Sequence, residues 1–192
     1  MANLHFFYGP IASGKSVKLI QDRYNLVQKG IKVLVIKPKG SIDSESKIKS
    51  RIGVECPAEI YTSIDWTDFV RMKDSPDVIM VNEVHLFTPS DIDNLVKLAD
   101  SYNKLIFCYG LLVDTNEHMF PASKHLLEVG AKSQEIKVTC QNNGCKNLAN
   151  HNVAYDEYDK LIRDSRIILD GKNITYKSLC RQCYDRIMQK HR

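Results

Sequence analysis

Short apolar runs alternate with amphipathic stretches along the first two-thirds of the chain. Leu4-His5-Phe6-Phe7-Tyr8 reads as a buried strand, and Val17, Leu19, Ile20, Tyr24 and Val27 then recur at helical spacing up to Gly30. The apolar run 31–36 predicts a second buried strand, broken at Lys37-Pro38-Lys39-Gly40-Ser41. From there to about Gly53 the residues are polar and charged, which predicts a surface loop. Glu59-Ile60-Tyr61 predicts a short edge strand, and Asp65-Trp66-Thr67-Asp68-Phe69-Val70 a short helix capped by Ser63 or Asp65. Val78-Ile79-Met80-Val81 predicts a strand ending at Asn82-Glu83. Thr88-Pro89-Ser90-Asp91 then opens a helix with Ile92, Leu95, Val96 and Leu98 on one face. Leu105-Ile106-Phe107-Cys108-Tyr109 is a further strand, Pro121 starts a helix, and Ile136-Lys137-Val138 is expected to be the last strand. Strands alternating with helices imply an α/β fold, a mostly parallel sheet flanked by helices. There is no internal repeat and no low-complexity linker.

The first strand and first helix enclose Gly9-Pro10-Ile11-Ala12-Ser13-Gly14-Lys15-Ser16, which fits the phosphate-binding P-loop pattern G-x-x-x-x-G-K-[ST]. Such a loop turns backbone N–H groups inward and adds the positive end of a helix. Lys15 would reach the β- and γ-phosphates of a nucleotide, and the Ser16 hydroxyl would ligate Mg²⁺. A P-loop with Mg²⁺ sets up phosphoryl transfer, which still needs a residue to orient the nucleophile and accept its proton. Glu83, just past the 78–81 strand, is the candidate base. Asn82 stands where many P-loop proteins hold the Mg²⁺ water shell with an aspartate, and Asp43 is a candidate for the missing carboxylate.

Composition narrows the class. The chain has 192 residues, 43% hydrophobic and 26% charged, which suits one good core, or one core plus a small appendage. A net charge of +4 is too mild to argue for nucleic acid or an anionic membrane. No apolar run approaches the ~20 residues needed to cross a bilayer. The N-terminus has no basic region ahead of an apolar core, so a secretory signal is not expected. With six cysteines and no signal, a reducing, cytoplasmic setting is expected, in which thiols hold metal more often than disulfides.

Near residue 140 the character changes. Cys140 and Cys145 enclose a turn-like Gln-Asn-Asn-Gly, and Cys180-Arg181-Gln182-Cys183 supplies a second pair. Two pairs, each on its own turn, can present four thiolates tetrahedrally to Zn²⁺. The division expected is 1–139, a P-loop nucleotide-binding domain, and 140–192, a zinc-binding lobe. Residues 150–177 carry few strong apolar runs, so metal at both ends would clip them into a loop able to cover a ligand. Cys56 and Cys108 fall outside the pattern and read as small apolar residues.

Taken together, these residues resemble the thymidine kinases of the zinc-containing type over nearly the whole chain. The resemblance is carried by the P-loop, Lys37-Pro38, Ser50-Arg51-Ile52-Gly53 and Asn82-Glu83-Val84-His85-Leu86-Phe87, the last at the family's D-E-x-Q-F-[FL]. It continues through Tyr109-Gly110-Leu111, Phe120-Pro121 and the run Tyr176-Lys177-Ser178-Leu179-Cys180-Arg181-Gln182-Cys183-Tyr184. It implies a P-loop α/β domain with a small zinc domain, and transfer of the ATP γ-phosphate to the 5′-hydroxyl of thymidine or a related deoxynucleoside. It assigns Glu83 as base, Lys15 and Ser16 to phosphate and Mg²⁺, and Tyr176, Leu86 and Thr115 to the nucleoside side. It also implies a homo-oligomer, tetramer or dimer.

Departures from the family concentrate at the site. The Mg²⁺-linked aspartate is Asn82, the glutamine is His85, and the aromatic that packs on thymine is Leu86. Farther on, an aspartate becomes Leu112, a phenylalanine Thr115 and an arginine Asn116. Asp43-Ser44-Glu45 reverses a charge where the family carries D-x-R. Losing ring stacking and a phosphate-side cation bears on substrate choice and rate. The alternatives are therefore a non-catalytic or altered-specificity nucleotide-binding regulator, and a zinc-ribbon nucleic-acid binder resting only on Lys172, Lys177, Arg181, Arg186, Lys190 and Arg192.

Overall fold

A computed structural model describes residues 3–40, 45–163 and 174–190. Strand β1 (Leu4–Tyr8) leads through the glycine loop into helix α1 (Lys15–Val27), and β2 (Val33–Pro38) follows. Next come a hairpin, β3 (Lys47–Lys49) and β4 (Glu55–Pro57), then β5 (Glu59–Tyr61) and the short α2 (Trp66–Arg71). Strand β6 (Val78–Val81) ends in a 3₁₀ turn at Val84–Leu86, before α3 (Pro89–Ser101), β7 (Leu105–Gly110), α4 (Pro121–Glu128) and β8 (Lys132–Glu135). Strands β1, β2 and β5 to β8 form one sheet in the order β5-β2-β6-β7-β1-β8, every pair parallel.

The period of two along these strands splits the core between the sheet's faces. On β6, Ile79 and Val81 face Ile92, Leu95 and Leu98 of α3 together with Leu126 of α4. Val78 and Met80 face the opposite way, toward Leu19 of α1. Burial on both faces is why β6 is apolar throughout. Helix α3 starts at a capping box: Asp91 N–H donates to Thr88 Oγ1 at 3.2 Å, and Thr88 N–H to Asp91 Oδ2 at 2.8 Å. Asp65, rather than Ser63, caps α2.

Two expectations are corrected. The polar stretch before Gly53 contains β3, half of a hairpin that buries Ile48 and Cys56 against the α1 face. Charged neighbours on the exposed positions mask that pattern. The last strand of the large sheet is Lys132–Glu135, not 136–138: it pairs with β1, and all four side chains point to solvent. Asp43 lies outside the described residues.

Past Glu135 the chain builds smaller units. Strand β9 (Val138–Thr139) pairs with β10 (Leu148–Ala149), and β11 (His151–Tyr155) is flanked by β12 (Leu161–Ile162) and β13 (Thr175–Leu179), all antiparallel. Helix α5 (Arg181–Lys190) follows. Their apolar side chains form a separate cluster around Cys140, Cys180 and Cys183, to which β11 adds Val153 and Tyr155. The 150–177 stretch thus contributes a buried strand, more order than its composition predicts.

Candidate active site

The C-terminal ends of β1, β2 and β6 open into a cleft of about 590 Å³, the place where parallel α/β sheets receive ligands. Its floor is the glycine loop. A side chain at Gly9 would meet the Ile136 carbonyl oxygen at 2.4 Å, so only glycine lets the loop pass β8's end. Ala12 and Gly14 adopt left-handed backbone, φ 62° and 90°. Lys15 Nζ donates to the carbonyls of Gly9, 3.0 Å, and Pro10, 2.8 Å, folding the side chain back over its own loop. Burial pushes its pKa down to about 8, against the pull of Glu83 and aided by Arg51.

Glu83 faces the same cleft from the end of β6. Its backbone is left-handed, φ 50° and ψ 41°, which turns the chain abruptly from strand into the 3₁₀ turn. A non-glycine residue held there costs about 1 kcal/mol or more, and such strain clusters at functional sites. Burial raises the carboxyl's pKa, while Lys15 draws it down. Asn82, 7% exposed, lines the wall beside it. His85 is buried behind: its Nδ1 accepts from Leu111 N–H at 3.2 Å, and Nε2 lies 3.5 Å from Glu83 Oε2. Burial and the Lys15 charge hold this imidazole's pKa down at about 3, so it is neutral.

Ile11, Ala12, Gly14, Lys15 and Ser16 line the cleft together with Asn82, Glu83 and Tyr176. Leu86 and Thr115 lie outside its lining. Leu86 ends the 3₁₀ turn beyond His85, and Thr115 is 3% exposed with its carbonyl accepting the Tyr184 hydroxyl at 2.9 Å. The sequence reading missed the cations: Lys37, Lys47, Lys49 and Arg51 also face the cleft. Lys37 Nζ donates to the Lys47 carbonyl at 3.0 Å, fastening the hairpin to the sheet. The reversed charge at Glu45 pairs with Lys47 and Lys49 at 3.1 and 3.0 Å. Their presence around a triphosphate-sized cleft was foreshadowed only by Lys37-Pro38 and Ser50-Arg51.

In the second lobe the sulfurs of Cys140, Cys145, Cys180 and Cys183 all lie within 4.8 Å of one another, and none forms a disulfide. Tetrahedral Zn–S bonds of about 2.3 Å set sulfurs about 3.8 Å apart, and Cys145 and Cys180 Sγ are separated by 3.8 Å. Asn142 and Asn147 amides donate to Cys183 and Cys180 sulfurs at 3.3 and 3.7 Å, as outer partners of thiolates do. The Cys183 backbone N–H is the main cause that draws the Cys180 thiol down to about 6. The donor set fits a closed structural metal site.

A parallel sheet with a glycine loop, a buried lysine and a facing glutamate at one end is the arrangement of an α/β enzyme that handles phosphoryl groups. The sequence model of the family described as Thymidine kinase matches residues 2–184, and the chain belongs to that family. It is 30% identical to the thymidine kinase of Shewanella oneidensis over 189 residues, covering 95% of this chain and 96% of that one. Similar values hold for the thymidine kinases of Blochmanniella pennsylvanica, 33% identical over 95% and 90% of the two chains, and Zymomonas mobilis, 32% over 95% of each.

Proposed function

We propose that the protein transfers the γ-phosphate of ATP to the 5′-hydroxyl of thymidine or a closely related deoxynucleoside. The observation that carries this is the convergence of Lys15 and Glu83 on one cleft whose other charged wall is cationic. In this reading Glu83 accepts the proton of the 5′-hydroxyl as its oxygen forms a bond to the γ-phosphorus. The bond to the β-phosphate oxygen breaks, and ADP leaves with those electrons. Lys15 follows the charge that builds on the transferring group. The loop from Gly9 to Ser16 cradles the phosphates, through backbone N–H groups such as those of Gly14, Lys15 and Ser16 rather than that of Ile11, which Asn152 takes, and Tyr176 packs at the nucleoside. Leu86 and Thr115, which are not among the residues lining the cleft, are kept with Tyr176 as the candidate nucleoside-side residues.

Ser16 and Asn82 offer neutral oxygen donors, which suits Mg²⁺ that arrives on the phosphates and keeps several waters. When bound, Mg²⁺ neutralises phosphate charge. The four cysteines would hold Zn²⁺ as a structural ion, and residues 140–192 would act as the nucleoside-covering lobe on a 1–139 kinase domain. A homo-oligomer, tetramer or dimer, and a reducing cytoplasmic setting complete the reading.

The test is ADP release with ATP, Mg²⁺ and a panel of deoxynucleosides, for the parent and Glu83→Gln. The variant keeps size and hydrogen-bonding reach but loses the proton acceptor. Its kcat is expected to fall about 10²–10⁴-fold with nucleoside affinity little changed. Equal turnover by the two proteins would refute the assignment of Glu83.

A further inference from the structure

The glycine loop is gripped from two sides, and only the inner grip belongs to nucleotide chemistry. Lys15 holds the Gly9 and Pro10 carbonyls from within. From outside, the C-terminal lobe takes both backbone polar groups of Ile11. Ile11 N–H donates to Asn152 Oδ1 at 2.8 Å, and the Ser178 hydroxyl donates to the Ile11 carbonyl in a short bond. Asn152 on β11 and Ser178 on β13 are directly paired across the strands, and their side chains touch at 3.3 Å. Both are buried, 2% and 0% exposed. Ser178 is fixed further by a reciprocal pair with Gln141: its N–H donates to Gln141 Oε1 at 2.6 Å, and Gln141 N–H to its carbonyl at 2.8 Å.

Ile11 sits where the loop's shape is decided. It precedes Ala12, whose left-handed φ of 62° a non-glycine residue does not adopt unaided. When a phosphate draws the Lys15 ammonium outward, the lysine's hold on Gly9 and Pro10 weakens, because its donors are shared. The outer grip does not depend on Lys15 and persists. Asn152 and Ser178 therefore hold the strained loop when it is loaded. The same face of β13 also carries Tyr176, two residues from Ser178, into the cleft.

We propose that Asn152 and Ser178 are positioning residues for phosphate binding: the C-terminal lobe, through Ile11, sets the conformation in which the glycine loop receives ATP. This rests on the kinase reading above and adds to it a dependence of the nucleotide loop on the distant lobe. Neither residue touches nucleotide in this account; both act through Ile11.

The experiment measures binding by calorimetry for Asn152→Ala, Ser178→Ala and Lys15→Ala, with ATP, tripolyphosphate and thymidine as probes and zinc content checked. Each lobe variant is expected to weaken ATP and tripolyphosphate alike, about five- to tenfold, the fold-change that follows from one buried hydrogen bond. Thymidine affinity is expected within about twofold of the parent, with zinc content the same. A role in lobe stability alone would lower the melting temperature and leave tripolyphosphate binding untouched, which overturns the proposal; so does equal weakening of all three ligands. If Lys15→Ala also binds ATP and tripolyphosphate like the parent, the phosphate site itself is misassigned and both readings fall. If only Lys15→Ala weakens them, this inference alone falls. Amide exchange on the zinc-loaded parent gives an answer even where a variant does not fold. The Ile11 amide is expected to be protected, and to lose protection on chelation while Phe6 in β1 keeps it. Fast exchange at Ile11 in the loaded parent overturns the proposal.

Discussion

Several single residues at the cleft hold conformations that their side chains or neighbours make costly. Gly9 is the clearest, because a methyl there would sit 2.4 Å from the backbone oxygen of Ile136 and 2.7 Å from Ser13 Oγ. Backbone cannot swing aside as a flexible side chain can, so Gly9→Ala must shift the loop or part β1 from β8. The expected loss is about 1–3 kcal/mol, the range for overpacking, read as a lower denaturant midpoint with tripolyphosphate binding weakened in the same protein. An unchanged midpoint would mean that the loop has slack which the geometry denies. Residue-scale features differ in how far the sequence announces them. The loop is legible because its chemistry is local: glycines, lysine and serine at fixed spacing. Asn152 and Ser178 are not, since their bonds to Ile11 span 141 and 167 positions. No periodicity links residues so far apart. Glu45 misleads in the opposite sense: alone it reads as a reversed charge, but the hairpin brings Lys47 and Lys49 onto it.

At the scale of elements, apolar periodicity locates the buried strands of the large sheet, β1, β2, β6 and β7, but not β11, which is buried in the C-terminal region. It misses β8, an edge strand reading Lys-Ser-Gln-Glu with all side chains exposed, because backbone pairing to β1 defines that strand and burial does not. It also misses the hairpin, where buried Ile48 and Cys56 alternate with charges over strands only three residues long. Helices α3 and α4 are tied by His125 of α4, whose Nε2 lies 2.7 Å from Asp93 of α3 and whose Nδ1 lies 3.3 Å from Glu128. Asp93, with help from Glu128, raises the imidazole's pKa above its ordinary value. A pKa raised on folding gives stability that is fully present below the unfolded value, about 6.5, and lost as pH climbs through the folded value. Exposed pairs of this kind are worth about 0.2–1 kcal/mol. His125→Gln is therefore expected to lower Tm by at most about 4 °C at pH 5.5 and hardly at all at pH 8.5. A drop of equal size at both values would show that packing, not charge, is what His125 supplies.

Across the whole molecule, the two regions are held together by different means. The six-stranded sheet carries apolar clusters on both faces, enough surface to order itself. Among the described residues, the C-terminal region has one two-stranded and one three-stranded sheet around one small cluster, and three of that cluster's eight buried members are cysteines. Sheets that small are marginal alone. Four thiols at ligand spacing offset the deficit only if a metal joins them, because metal binding free energy then becomes folding free energy. Further ties run from α5 to the 111–118 segment: Arg181 to Glu117, and the Tyr184 hydroxyl to the Thr115 carbonyl. Loss of metal should therefore loosen this region and its ties while leaving the large sheet folded. Reduced, freshly purified protein is expected to carry about one Zn²⁺ per chain. Cys180→Ser should lower that content sharply, whereas Cys108→Ser, wholly buried in β7 away from the cluster, should keep it. On chelation, limited proteolysis should cut first within 140–190 while a fragment spanning β1 to β8 survives. Metal-free protein straight from purification, or a cleavage pattern that chelation does not alter, would mean that these four cysteines are packed thiols and that this region is ordered without metal.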